Sequence, residues 1–292
     1  MSVRKRVTTR VVELFSHSER PLSETTKYSG DKGLFGAGSI SWEILGDVSS
    51  FVGGIRALMI QAAHPEVAAG VADHSRYRED PLGRLSRTAY YVTSMTYGSL
   101  PEIDDALKLV ARAHTGVTGI SERGIPYSAS SPEYGAWVHN TLTDSFLQAF
   151  ITFRRPASIE EMDTFVQEQS LIGERMGADP LPRTAGELRK WVIDHPEVEP
   201  SKAMSEAIAF LRKPPLPKAE LLGYRILQKA AVSTIDPNLR EILGIGFYPF
   251  AQPVGKQLVR SLRWALKYSP AWKAALLRVG ADFDHRLFRE DA

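Results

Sequence analysis

From Ser49 onward the apolar residues return at the three- and four-residue spacing of a helix, and a polar cap residue followed by proline repeatedly marks a new start. His64-Pro65, Asp80-Pro81 and Ser131-Pro132 each put proline at the first helical position, where its missing N–H leaves no bond unmade. The pattern predicts helices over 49–63, 66–73, 81–97, 101–114 and 132–153. It continues over roughly 158–177, 184–195, 200–212, 218–234, 253–268 and 270–280, with breaks such as Lys213-Pro214-Pro215-Leu216-Pro217. No run alternates apolar and polar residues strictly, and neither an internal repeat nor a low-complexity stretch is present. The expected fold class is all-α, a single large helical domain of about ten or more helices. Residues 1–30 read as a flexible basic head, and 31–292 as one all-helical domain.

With 292 residues and 43% hydrophobic content, the chain can bury a large core. Its 36 basic residues nearly cancel 34 acidic ones, so no overall field favours nucleic acid or acidic substrates. Cysteine is absent, which removes disulfides, cysteine zinc sites, iron–sulfur clusters, thiolate-ligated haem and covalent haem attachment together. A metal or haem would have to rely on His, carboxylate, Tyr or Lys. The N-terminus is basic without the apolar run of a secretory signal, which reads as cytoplasmic. The longest apolar stretch, Phe51 to Ala63, is interrupted by Arg56 and falls short of the ~20 residues a membrane span needs.

Three groups of residues are candidates for chemistry. In VARAHTGVTG, His114 shares a helical face with Ile103, Leu107, Val110 and Val117, so its ring points inwards. His139 likewise shares a face with Leu142, Phe146 and Phe150. A buried histidine can be a hydrogen-bonded core residue or a ligand, and spacing leaves both readings open. In GRLSRTAYY, Arg84, Arg87 and Thr88 stand at i, i+3 and i+4, within reach of one small ligand. The plain alternative is a solvated face paired to Glu79 or Asp80. His64 and His74 lie near helix ends, where capping or contact with solvent is the ordinary role. The sequence has no H-E-x-x-H, E-x-x-H pair, G-x-S-x-G or Walker pattern, and GAGSI lacks the third glycine of a dinucleotide fingerprint. An all-helical chain with inward histidines and no cysteine suits a noncovalently held haem with a histidine ligand.

The ordered set GSISWEILGD, LMIQAAHPEVAAGVADHSRYREDPLGRLSRTAYY, ARAHTGVTG and RGIPYSASSPEYGAWVHNTLTDSFLQAF resembles the MpaB-type oxygenase family. That family includes the rubber-cleaving latex clearing proteins, and the resemblance covers about residues 34–180. It implies a loosely globin-like helical fold with a buried pocket for one noncovalent haem b. It also implies use of dioxygen to cleave carbon–carbon double bonds of isoprenoid chains. His114 matches the proximal iron ligand, while Arg84 and Thr88 match the distal arginine and threonine. The resemblance makes His114 the metal ligand and, with the spacing that adds Arg87, makes Arg84, Arg87 and Thr88 the catalytic candidates. His114 and Arg84 are cofactor-binding candidates, joined by His139 on its inward helical face alone.

Arg87 stands where the rubber-cleaving relatives have a lysine able to coordinate iron, and a guanidinium offers no lone pair for that. The relatives' general base is a glutamate, and the roughly corresponding stretch here is EVAAG at 66–70. Ile44, Leu45, Phe51, Leu58 and Met59 are apolar enough to line a lipophilic substrate site or to be plain core. Two functions compete: an oxygenase acting with dioxygen on an unsaturated lipophilic molecule, or a haem-binding protein for haem handling or gas sensing. A lipid-binding or structural helical module is the third reading. In KQLVRSLRWALKYSPAWKAALLRV, Lys256, Arg260, Arg263 and Lys267 share one face, which fits either peripheral contact with an anionic membrane or a solvated basic face.

Overall fold

The computed structural model describes residues 3–14 and 21–288, which form fourteen α-helices, two short 3-10 turns and one two-stranded sheet. The helices are α1 (Val3–Leu14), α2 (Ile40–Gly46), α3 (Ser50–Gln61), α4 (Pro65–His74), α5 (Pro81–Tyr97), α6 (Leu100–His114), α7 (Pro132–Phe153), α8 (Ile159–Arg175), α9 (Ala185–Ile193), α10 (Lys202–Arg212), α11 (Lys218–Val232), α12 (Pro237–Ile242), α13 (Ala251–Leu266) and α14 (Pro270–Val279). The all-α expectation holds. Its one exception is a hairpin of β1 (Thr118–Ile120) and β2 (Pro126–Ser128), with Gly119 opposite Tyr127. Strands of three residues are too short for alternation to register in a sequence. Many starts follow the cap chemistry: Asp80 accepts from the Gly83 N–H, and Ser158 and Thr184 form full capping boxes.

The chain divides into two compact units. The first comprises Met1–Val48, Arg76–Val110 and Val259–Ala292. Its core gathers Leu22, Trp42, Tyr97, Leu276 and Phe288, with Phe35 and Trp272 packed on them. Trp42 donates its indole N–H to the Thr96 carbonyl at 2.8 Å, and the Tyr97 hydroxyl returns a bond to the Trp42 carbonyl at 2.8 Å. Both amphipathic rings are therefore buried without leaving a polar atom unmade. Arg278 is sealed at 1% exposure because carbonyls surround it: those of Asp31 and Tyr97 at 2.7 Å each, and that of Gly98 at 3.3 Å.

The described residues of the N-terminal segment bond to distant parts of the chain. Arg4 and Thr8 of α1 donate to the Ala265 carbonyl at 3.2 and 3.3 Å, and the buried Thr25 hydroxyl donates to Glu102 at 2.8 Å. Residues 15–20 of that segment lie outside the described residues.

The second unit comprises Ser49–Ser75 and Ala111–Leu258. Helix α3 lies against α7, and Gly53 makes the approach possible: a Cβ there would meet Phe146 at 2.8 Å and the Ser145 carbonyl at 3.1 Å. Arg56, the charge that interrupts the apolar run of α3, is fully buried against Asp144 of α7 at 2.7 Å and the Ser145 hydroxyl at 2.8 Å. Helix α11 covers another side of α3, while α8 and α9 pack on α7, and α10 and the hairpin on α4. Ile44 and Met59 are sealed in the core of their respective units, whereas Leu45, Phe51 and Leu58 are half-buried.

Candidate functional site

His114 is the last residue of α6. The helix stops there because Gly116 takes the left-handed conformation at φ +76, and the Val117 N–H closes the turn onto the His114 carbonyl at 3.1 Å. Ile103 and Ala106 are buried, and Leu107, Val110 and His114 half-buried, while Asp104, Asp105, Lys108, Ala111, Arg112 and Ala113 stand exposed. The imidazole thus lies on the protected stripe of α6. Desolvation lowers its pKa, so the ring is neutral at physiological pH and keeps a lone pair. Among the described residues, no group hydrogen-bonds this ring. A neutral, half-buried imidazole has a lone pair to offer a metal, though a ligating ring ordinarily donates its second nitrogen to an acceptor, and no such acceptor faces His114 among the described residues.

Arg84, Arg87 and Thr88 lie on α5, in the other unit. Arg84 is half-buried with its guanidinium 5.8 Å from the centre of the Tyr77 ring, and desolvation, with repulsion from Arg87, lowers its pKa. Arg87 is exposed and pairs with Asp80 at 3.2 Å, which is the plain reading of that face. The Thr88 hydroxyl donates to the Arg84 carbonyl at 3.1 Å, so its proton is already committed. An exposed pair such as Arg87–Asp80 contributes about 0–1 kcal/mol. Arg87→Ala is therefore expected to leave the urea midpoint within that margin, and a larger drop would mean that Arg87 has a structural partner besides Asp80.

His139 occupies a different environment. It is 7% exposed, hydrogen-bonded to the backbone of Gln169 on α8, and so close to Gly173 that a Cβ there would lie 3.0 Å from its ring. Burial brings its pKa down to about 4. These are the surroundings of a hydrogen-bonded core histidine.

Spacing did not reveal a second cluster, in the second unit. His64 is 1% exposed, with Nδ1 3.3 Å from Glu66 and neither ring nitrogen hydrogen-bonded among the described residues. The rings of Tyr134, Trp137 and His195 pack around it at 5.2, 5.8 and 5.5 Å, and burial lowers its pKa to about 4. Glu66, the glutamate of EVAAG, is sealed as well. Burial would raise its pKa, but hydrogen bonds from Arg123 and Ser121 outweigh burial and hold it below the ordinary value. Arg123 also reaches Glu197 at 2.9 Å and Glu199 at 3.1 Å, so one guanidinium ties three carboxylates together. A carboxylate sealed, ionised and bonded in this way is poorly placed to take a substrate proton. His74 at the other end of α4 contacts the Thr118 carbonyl at 3.1 Å, fixing the helix to the hairpin.

Among the described residues, no three His, Asp or Glu side chains converge into a metal cage. None of the described helices is long and apolar enough to cross a membrane. A family model described as "ER-bound oxygenase mpaB/B'/Rubber oxygenase, catalytic domain" matches residues 42–267. The chain belongs to this family. No curated protein and no solved structure matches the chain. The matched span runs from Trp42 in α2 to Lys267 just beyond α13, and so includes parts of both compact units. This member of the mpaB/rubber oxygenase family has an oxygenase-type catalytic domain, and His114, Arg84, Arg87 and Thr88 all lie within it.

Proposed function

We propose that this mpaB/rubber oxygenase family member is a haem b-dependent oxygenase that uses dioxygen on an unsaturated, lipophilic, isoprenoid-like small molecule. The observation that carries the reading is His114: half-buried, neutral, and without a hydrogen-bonding partner among the described residues. A single imidazole suffices where a porphyrin supplies the other four nitrogens, which agrees with the lack of any convergent protein cage among the described residues. Haem b would supply the iron at which dioxygen is bound and activated.

The chain's own part is to hold that iron through His114, and Arg84, Arg87 and Thr88 are candidate donors to developing negative charge by family resemblance and helical spacing alone. Of the three, Arg84 is the one withdrawn from solvent. Arg87 would have to leave Asp80, and Thr88 would have to release the Arg84 carbonyl. Arg84 is also suited to pairing with a haem propionate.

The state of Glu66 favours a second reading, haem binding without turnover, because the glutamate of EVAAG is tied to Arg123 and Ser121. Dioxygen uptake separates the two. The haem-loaded chain is expected to consume dioxygen when given an unsaturated isoprenoid, with carbonyl products, and Arg84→Ala is expected to slow uptake without removing the haem band. A haem-loaded chain that consumes none with any unsaturated isoprenoid or fatty substrate would establish the second reading instead.

A further inference from the structure

Among the described residues, the exposed phenylalanine and tryptophan side chains are Phe247, Phe250 and Trp264, at 65%, 78% and 64% exposure, and all fall within one short stretch. Phe247 and Phe250 belong to the turn between α12 and α13, and Trp264 to α13 itself. Phe250 has φ +66, a left-handed conformation that a bulky residue adopts only at a cost. The turn holds this ring in solvent despite that cost. On α13, Val254, Gln257, Ser261 and Trp264 recur at helical spacing and are exposed, while Gly255, Val259, Ala265 and Leu266 are buried.

The charge around this apolar edge has one dominant sign. From Ile242 to Ala281 the chain has no Asp or Glu, and Glu241 is the acid that borders the stretch. Arg212 donates to the Gly244 carbonyl at 2.8 Å, Arg240 lies 5.3 Å from the Phe247 ring, and Lys229 lies 5.2 Å from that of Tyr248. Lys256 and Arg260 are exposed on α13. Arg263, which the sequence grouped with them, instead turns to Asp47 with bonds of 2.6 and 2.8 Å and is no part of the free basic face.

We propose that the turn 244–250 and the outward face of α13 dock on an anionic membrane surface. Exposed aromatic rings bordered by cations suit the headgroup boundary of a bilayer, where rings enter the acyl edge and cations meet phosphate. The binding is peripheral, and it does not depend on the haem reading.

Co-sedimentation of the full chain with vesicles tests it. The chain is expected to pellet with vesicles of phosphatidylcholine and phosphatidylglycerol, to stay in solution with phosphatidylcholine alone, and to be released by salt. Phe247→Ser with Phe250→Ser should lower the partition by about ten-fold. Lys256→Ala and Arg260→Ala should each lower it roughly five-fold. Ile159→Ser, which changes an equally exposed apolar residue on α8, should leave it unchanged. Three outcomes would overturn the proposal: no binding to anionic vesicles, equal binding to neutral ones, or full binding by the double serine variant. A lipid-free dimer that the double serine variant converts to monomer would overturn it too, by assigning the face to a second copy of the chain.

Discussion

Replacing Asp144 with alanine is expected to lower the stability of the folded protein by about 3–5 kcal/mol, because it leaves the Arg56 guanidinium buried without its counter-charge. Arg56 is 0% exposed, and its Nη1 alone carries the bonds to Asp144 and Ser145, while Nε and Nη2 have no hydrogen-bond partner among the described residues. Burial lowers the pKa of Arg56 and Asp144 opposes that shift, so removing Asp144 leaves only the unfavourable part. Arg189 also contacts Asp144, at 3.4 Å from a partly exposed position, and Arg189→Ala should cost much less. Urea unfolding at neutral pH measures both. The double change Arg56→Met with Asp144→Leu should recover much of the loss, since an apolar pair of similar size removes the desolvation penalty altogether. If Asp144→Ala unfolds at the wild-type midpoint, the pair does not hold α3 against α7.

Stability is also expected to fall steeply as the solution is acidified from about pH 6.5 towards pH 4. Burial brings both His64 and His139 down to about 4, whereas the unfolded chain takes up a proton on each near the ordinary histidine value. Between those values the unfolded state binds more protons, so stability declines as pH falls; above about 6.5 these two groups contribute no slope. At full development the effect is roughly 3 kcal/mol for each histidine. His114 and His195, also lowered by burial, act in the same direction. Glu66, held below its ordinary value, adds a further loss at lower pH as it becomes protonated. Urea titrations at about pH 7.5 and about pH 5 read the difference, and His139→Gln should shrink it whatever that change does at neutral pH. Equal stability at the two pH values would contradict these histidine environments.

Much of the helical framework could be read from the sequence because the chain marks its own boundaries. Asp80, Ser158, Thr184 and Ser201 each accept the N–H three residues on, and the helices after them begin within a residue or two of the predicted starts. What escaped was short or held by distant residues. Helix α12 and the hairpin are too brief for periodicity, and α1 is fixed by the Ala265 carbonyl from the far end of the chain. The half-buried face of His114 was legible because Ile103, Leu107 and Val110 recur along one stripe. Which of the two inward histidines would have a hydrogen-bond partner was not, because Gln169 and Gly173 reach His139 from the following helix. Arg56 did give a signal, as a lone charge in the apolar run from Phe51 to Ala63, but periodicity cannot name a partner on another helix. The fate of Glu66 was equally hidden, since Arg123, Glu197 and Glu199 come from loops that sequence spacing does not relate to it.

If His114 holds the iron of a haem, as proposed, the untreated purified chain shows it in its visible absorption spectrum. A Soret band is expected that His114→Ala removes or greatly weakens while the far-ultraviolet helical signal is retained, and that His139→Gln leaves in place. A colourless protein that takes up no added haem, or a His114→Ala variant with an undiminished Soret band, would contradict it.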